Sequence, residues 1–185
     1  MQQPLKIITV DSDEHSFLRI KAEMILRDQL PLAKEIAEKL FLALKPHLPA
    51  AGLAASQIGI KKAVFIFSFD RDPNNLEVVI NPSFIPLGEK KKEGWEGCFS
   101  ITLSEKEWKL VKVSRYVTIQ ASYLNLEGGQ VEKILDGFAA RVFQHEYDHL
   151  QGIVNMDRED ALIKSFSSKE EMLNFLQIVK EKDKN

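Results

Sequence analysis

The sequence predicts an α+β domain. Three observations carry the prediction. Apolar stripes of helical period occupy separate stretches near residues 31–44, 137–150 and 168–179. Short alternating stretches bounded by turn residues fill the middle of the chain. The two kinds of segment do not alternate as βαβ units would.

Residues 5 to 30 show no clear period. From Pro31, the residues Leu32, Ile36, Leu40 and Phe41 fall on one stripe, with Lys34, Glu35, Glu38 and Lys39 outside it. Pro31 suits a first helical position. The helix should end before Lys45-Pro46, because the residue before proline disfavours helical dihedrals. Residues 50–59, AAGLAASQIG, are rich in small side chains and read as a loop or close-packed bend. Ala63 to Phe69 and Glu77 to Asn81 read as strands joined by a turn at Asp72-Pro73-Asn74-Asn75. Val111 to Leu124 alternates as a single strand; Glu127-Gly128-Gly129 turns the chain and Gln130 to Leu135 returns antiparallel. Gly137 to Leu150 reads as a helix with Phe138, Val142, His145 and His149 on one face, ended by a left-handed Gly152. A last helix begins at Ser168, with Glu171 completing a capping box and Met172, Phe175, Leu176 and Val179 as its apolar stripe. The expected architecture is small antiparallel or mixed sheets packed around the central helix, with another helix at the C-terminal end.

A chain of 185 residues is most simply one domain. A formal net charge of −2, with both signs spread along the chain, argues against a general nucleic-acid binder. The run Glu89-Lys90-Lys91-Lys92-Glu93 reads as a solvated loop. A single cysteine, Cys98, excludes an intramolecular disulfide and fits a reducing compartment. The start, MQQPLKIITVDSDEH, lacks a basic segment followed by an apolar one, and no apolar run approaches the ~20 residues that span a bilayer. The expectation is a cytoplasmic protein with no membrane partner.

The strongest chemical signal is His145-Glu146-Tyr147-Asp148-His149 on the central helix. Residues i and i+4 lie one turn apart, so two imidazoles can grip one metal ion, with Glu146 beside them free to work on water. Two neutral imidazoles on a helix face without a partner would be costly to bury. A catalytic site usually needs a third protein ligand. The position six residues past His149 is Asn155, a poor ligand. Glu170 and Glu171 lie about twenty residues downstream, but they fill the first turn of a helix, where acids complement the dipole. His15 and His47 sit in polar or proline-flanked surroundings and read as surface residues. Cys98, within Gly94–Ser100 (GWEGCFS), is left, and its thiolate suits a borderline divalent metal.

Three segments in order, GLAAxQ (Gly52 to Gln57), EGCxS (Glu96 to Ser100) and QHExDHL (Gln144 to Leu150), resemble the peptide deformylases. The resemblance implies a metalloenzyme that hydrolyses the N-formyl group from N-formylmethionyl peptides and nascent proteins, releasing formate. It implies Cys98, His145 and His149 as metal ligands and Glu146 as general base and acid. It implies Gln57 and the backbone N–H of Phe99 as oxyanion donors, with Gly52 and Gly97 lining the substrate groove. One divalent ion is implied, Fe2+ by family habit, with Zn2+, Ni2+ or Co2+ able to substitute. The partners so implied are nascent chains and, transiently, the ribosome. The chain departs from the family pattern at four places. Ala50 replaces the first glycine of GxGLAAxQ, and Phe99 replaces a leucine. No arginine occurs between Ile101-Thr102-Leu103 and Val113, where only Lys106, Lys109 and Lys112 are basic, beside Trp108. Asn155 stands where an aromatic or apolar residue is common. Two other readings stay open: a zinc endopeptidase using Glu170 or Glu171, and a non-catalytic relative that binds formylated peptides.

Overall fold

A computed structural model of the chain describes residues 5–70, 72–102 and 108–182; Leu103 and Lys106 lie outside them. The strands are β1 (Gly52–Ala54), β2 (Val64–Ser68), β3 (Leu76–Pro86), β4 (Lys91–Glu96), β5 (Trp108–Tyr116), β6 (Thr118–Leu124), β7 (Gln130–Asp136) and β8 (Leu162–Phe166). The helices are α1 (Leu30–Leu44), α2 (Phe99–Thr102), α3 (Gly137–Leu150) and α4 (Lys169–Lys182). One antiparallel sheet has the order β1-β2-β3-β6-β7 and the other β4-β5-β8. The α+β class is as expected.

The central helix α3 packs against both sheets, touching β1, β2, β6 and β7 on one side and β5 on the other. Its apolar anchor is Phe143, wholly buried and edge-on to Phe65, Phe67 and Phe84. Aromatic pairs in this arrangement contribute about 0.5–1.5 kcal/mol each beyond their burial. Gly152 takes the left-handed conformation (φ +77°) that ends the helix, and a Cβ there would lie 2.8 Å from the Arg19 backbone. α1 starts with Pro31 in its first turn, as its sequence suggests, and buries Ile36, Leu40 and Leu44.

Five points of the sequence reading need correction. The stretch from Val111 to Leu124 is two strands in different sheets, broken at Val117. Its odd-numbered residues Val111, Val113, Arg115, Ile119, Ala121 and Tyr123 are all buried. The buried parity is therefore the same on both sides of the half-buried Val117, and alternation alone carries little mark of the crossing. The lysine-rich run is partly strand, not only loop: β4 begins at Lys91 and pairs with β5. It is an edge strand, where lysines discourage pairing with another chain. The bend at 50–59 contains β1 and a 3-10 turn, Ala55–Ile58, closed by Gly59 at φ +77°. β8 went unrecognised because both Leu162 and Ile163 are exposed, so no buried face patterns it. β3 also runs past Asn81, whose positive φ of 52° sits at a register shift and whose side chain bonds both backbone groups of Ile25.

The unpatterned N-terminal stretch has a positional role. Ile8 N–H donates to Gln57 O at 2.7 Å, and Val10 N–H donates to Ser100 O at 2.9 Å. It therefore ties together the two loops that flank Cys98.

Candidate metal centre

The fold brings three of the sequence-marked side chains to one point. The ligand atoms of Cys98, His145 and His149 lie within 4.8 Å of one another, and all three residues are buried. Cys98 Sγ is 3.2 Å from His149 Nε2. Donors bound to one tetrahedral ion at ordinary metal–sulfur and metal–nitrogen lengths sit about 3.5 Å apart, so the separation fits. Two neutral nitrogens and a thiolate suit a borderline divalent cation. Cys98 is placed by its own loop: its carbonyl accepts from Ile101 and Thr102 N–H at 2.9 and 2.8 Å, which starts the short α2.

Behind this group lies a charged network whose function sequence reasoning missed. Glu96, two residues before Cys98, accepts from Arg115 Nε at 2.9 Å and Nη2 at 3.0 Å, and from Arg141 Nη1 at 2.8 Å. Its other bond is to His145 Nδ1 at 2.9 Å. A carboxylate only accepts, so the proton sits on Nδ1 and Nε2 is left for a cation. Burial alone would raise the Glu96 carboxyl, but bonds from His145 and Arg115 and their charges hold it well below the usual carboxylate range. Arg115 Nη1 also donates to Asp148 of the HEYDH segment, and Arg158 reaches the same carboxylate at 3.0 Å. Gln144 clamps α3 to β5 by accepting from Tyr116 N–H and donating to Tyr116 O. Ser56 Oγ donates to the His149 carbonyl at 3.1 Å, fixing the end of that helix. Each partner is 10 to 93 positions away in the chain, so no local spacing announces the network.

Burial lowers the affinity of His145 for a proton, yet hydrogen bonds to Cys98 and Glu96 outweigh it and raise the imidazole well above its ordinary value. His149 is pushed well below its own by burial and by the positive charges of His145 and Arg115. Burial pushes the Glu146 carboxyl up to about 7, against the charge of His145. Glu146 Oε2 is buried with no hydrogen-bond partner among the described residues, as are His149 Nδ1 and both polar atoms of the Asn155 side chain. Asn155 is a buried residue, 1% exposed.

Gln57 is buried, and Ala54 N–H donates to its Oε1 at 2.9 Å. This turns Nε2 toward Ser100 Oγ at 3.1 Å and Cys98 Sγ at 3.7 Å. The Phe99 N–H begins α2, where no intrahelical acceptor exists. The Phe99 ring is half-buried, lies 5.2 Å from His47 and packs on the α1 core. His47 is accordingly half-buried and packed, rather than a free surface residue. Ala50 has no positive φ and is buried, so the bend forms without the family's glycine.

Gly52, Gln57, Gly97, Cys98, His145 and Glu146 all line one cavity of about 280 Å³. Phe138 and Val142 line it too, so the apolar stripe expected on α3 is a cavity wall as well as core. The two glycines differ. A Cβ on Gly97 would make only ordinary contact, 3.8 Å from Leu110 Cδ2. A Cβ on Gly52 would lie 2.6 Å from Glu146 Oε1 and 2.9 Å from the Ile66 carbonyl. Gly52→Ala is therefore expected to cost about 1–3 kcal/mol of stability in denaturant melts and to displace Glu146, with activity falling further than stability accounts for. Glu170 and Glu171 lie far from this cluster in role: both are exposed, and Glu171 accepts from Ser167 N–H and Oγ. Ser168 Oγ accepts from Glu171 N–H, half of the expected capping box.

An α+β frame that gathers a thiolate, two imidazoles and a buried carboxylate at one cavity has the form of a metal-dependent hydrolase. The polypeptide deformylase family model matches residues 5–165, and the chain belongs to that family of metal-dependent enzymes, which remove the N-formyl group from nascent peptides. A peptide deformylase 2 of Rickettsia conorii is 36% identical over 184 residues, covering 91% of this chain and 86% of its own. The crystal structure of peptide deformylase from Thermotoga maritima matches with a TM-score of 0.71 at 32% identity, covering 85% of this chain and 98% of that one. A class I type b peptide deformylase from Acinetobacter baumannii, crystallised with Met-Ala-Ser, matches with a TM-score of 0.71 at 28% identity, covering 85% and 99%. The endopeptidase reading is not favoured. No helix among the described residues is long and apolar enough to cross a membrane.

Proposed function

We propose that the chain deformylates N-formylmethionyl peptides as they emerge in the cytoplasm, using one divalent metal held by Cys98, His145 and His149. The observation that carries this is the meeting of those three ligand atoms within 4.8 Å, with Cys98 and His145 lining the same cavity as Glu146 and Gln57. Fe2+ is the proposed native ion, on family resemblance; Zn2+, Ni2+ and Co2+ suit the same donors. When bound there, a divalent cation polarises a carbonyl and lowers the pKa of a water in its shell toward about 7.

Glu146 takes the proton of the attacking water, and its unpartnered, buried Oε2 is free to do so. A carboxyl pushed up to about 7 is matched to proton transfer near neutral pH. Water oxygen then bonds to the formyl carbon, and Gln57 Nε2 with the Phe99 N–H would hold the developing oxyanion. Glu146 returns the proton to the peptide nitrogen as the C–N bond breaks, leaving formate and a free amino terminus. Gly52 leaves room for the Glu146 carboxylate, and Gly97 leaves open backbone on the cavity side. The Met-Ala-Ser held by the Acinetobacter relative is the peptide such a reaction would leave behind.

Metal analysis tests the centre. The purified protein is expected to bind one equivalent of divalent metal, lose activity to a chelator and regain it with Fe2+. Cys98→Ser is expected to lose the metal while Glu170→Ala retains it. Full retention in Cys98→Ser would remove Cys98 from the ligand set. Whether the enzyme also touches the ribosome is best read from co-sedimentation with translating ribosomes.

A further inference from the structure

The cavity straddles the edge of a sheet. β4 is the outer strand of β4-β5-β8, and its two faces have different neighbours. On one face a Cβ at Gly94 would lie 2.9 Å from Arg141 Cζ of α3, and Glu96 bonds His145 and Arg141 of the same helix. On the other face Trp95 meets Phe175 of α4 edge-on at 5.2 Å. Arg141 and Trp95 both line the cavity, and so do Met172 and Leu176 of α4. We infer that the residue following the formylated one lays its side chain against Trp95, Met172 and Leu176, so that α4 selects a large apolar side chain at this second position. The inference rests on the deformylase reading above, and α4 lies beyond the residues 5–165 that the family model matches.

The phase of the ladder sets which backbone groups face outward. Val117 N–H donates to Lys90 O at 3.0 Å, and the register from Lys91↔Tyr116 to Glu96↔Val111 runs without a shift. Bonded and non-bonded pairs alternate along antiparallel strands, so Lys92, Gly94 and Glu96 turn their N–H and C=O toward β5. Trp95 turns its own away from β5, on the cavity side. Such an edge takes an extended peptide as a further strand.

The chemistry fixes the direction and phase of that peptide. Its formyl end belongs at Cys98, Glu146 and Gln57, just past the end of β4, so the chain runs back along β4 and antiparallel to it. The nitrogen of the formylated residue must face Glu146, which returns a proton to it, and so it does not serve the β4 edge. The next residue is then the one whose N–H and C=O meet the edge. Directly paired residues put their side chains on the same face. The second side chain therefore falls on the Trp95 face, away from Arg141. A Cβ at Gly97, two residues on and on that face, would lie 3.8 Å from Leu110 Cδ2, and Leu110 clusters with Met172 and Phe166. Met172 is 7% exposed, and the i, i+4 spacing sets Leu176 beside it. Apolar walls that include a methionine adapt to large apolar side chains of different shape.

The test compares formate release by metal-loaded protein from formyl-Met-Leu-Ser and formyl-Met-Gly-Ser, with formyl-Ala-Gly-Ser to read the first position. Wild type is expected to favour leucine over glycine at the second position about tenfold in kcat/KM, the scale on which an apolar pocket discriminates. Leu176→Ala should cut that preference to about twofold. Leu176→Trp fills the same space and should raise KM for formyl-Met-Leu-Ser about tenfold while sparing formyl-Met-Gly-Ser. Both variants should keep the wild-type ratio of formyl-Met-Gly-Ser to formyl-Ala-Gly-Ser, and Leu173→Ala, at an exposed position of the same helix, should keep every ratio. The absence of a leucine preference in wild type, or an unchanged preference in either folded Leu176 variant, would overturn the inference, as would a shift confined to the first position. Calorimetry with the product peptides separates the two layers. If wild type releases no formate, the deformylase reading fails, and the inference then stands only if wild type binds Met-Leu-Ser more tightly than Met-Gly-Ser and Leu176→Ala abolishes the difference; otherwise it falls.

Discussion

Replacing Glu146 with glutamine is expected to lower formate release by about 10²–10⁴-fold without unfolding the protein. Glutamine keeps the volume of the side chain, so the close approach of Gly52 is undisturbed. It cannot take a proton from water, so the attack loses its base and the leaving amine loses its acid. The buried carboxylate is held at a desolvation cost, as its upward-shifted pKa shows, and its Oε2 has no partner to lose. Thermal melts should therefore show Glu146→Gln at least as stable as wild type. Metal content should be unchanged, because Glu146 is no part of the ligand set. A variant with wild-type turnover would remove Glu146 from the reaction; one with low turnover and no metal would assign it a different role.

Glu96→Ala is expected to damage the protein in a different way. It strips the acceptor from Arg115, whose side chain is 2% exposed, and from Arg141 and His145 Nδ1. Removing one partner of a buried ion pair costs up to about 3–5 kcal/mol, and the loss falls toward the lower end here because Asp148 still pairs with Arg115. The same deletion frees the His145 ring to rotate or switch tautomer, and loss of such an outer partner typically weakens metal binding about 10–100-fold. Glu96→Gln is expected to lose less on both counts, since an amide oxygen can still accept from Nδ1–H. Denaturant melts and a competitive chelator titration read the two effects separately. Wild-type stability and wild-type metal affinity in Glu96→Ala would contradict the network as described.

The contrast between these residues shows what the sequence makes legible. HEYDH could be read because its geometry is local: one helical turn brings two imidazoles together whatever the rest of the fold does. Cys98 could be reached because few other side chains in the chain could complete the set. Glu96 stood in a recognised segment, but its work depends on Arg115, Arg141 and His145, which only tertiary folding brings to it. Gln144 and Asp148 likewise stand in the sequence as motif letters, and only the fold brings them to Tyr116 and Arg115. The sheet crossing at Val117 was hidden because burial keeps the same parity on both sides of it. β8 was hidden for the opposite reason, since an exposed strand carries no apolar pattern. In α4 the apolar stripe was read correctly, but periodicity cannot tell a core-facing residue from one that faces a cavity; Met172 does both.

The central claim is that the Cys98, His145 and His149 centre, with Glu146 beside it, hydrolyses a formyl amide. The most direct measurement is formate release from formyl-Met-Ala-Ser by the Fe2+-loaded protein under anaerobic conditions, beside a formyl-free peptide. The account predicts many formates per protein molecule, one for each free methionine amino terminus that appears, and none from the control. Metal-saturated, folded protein that releases no formate would contradict it.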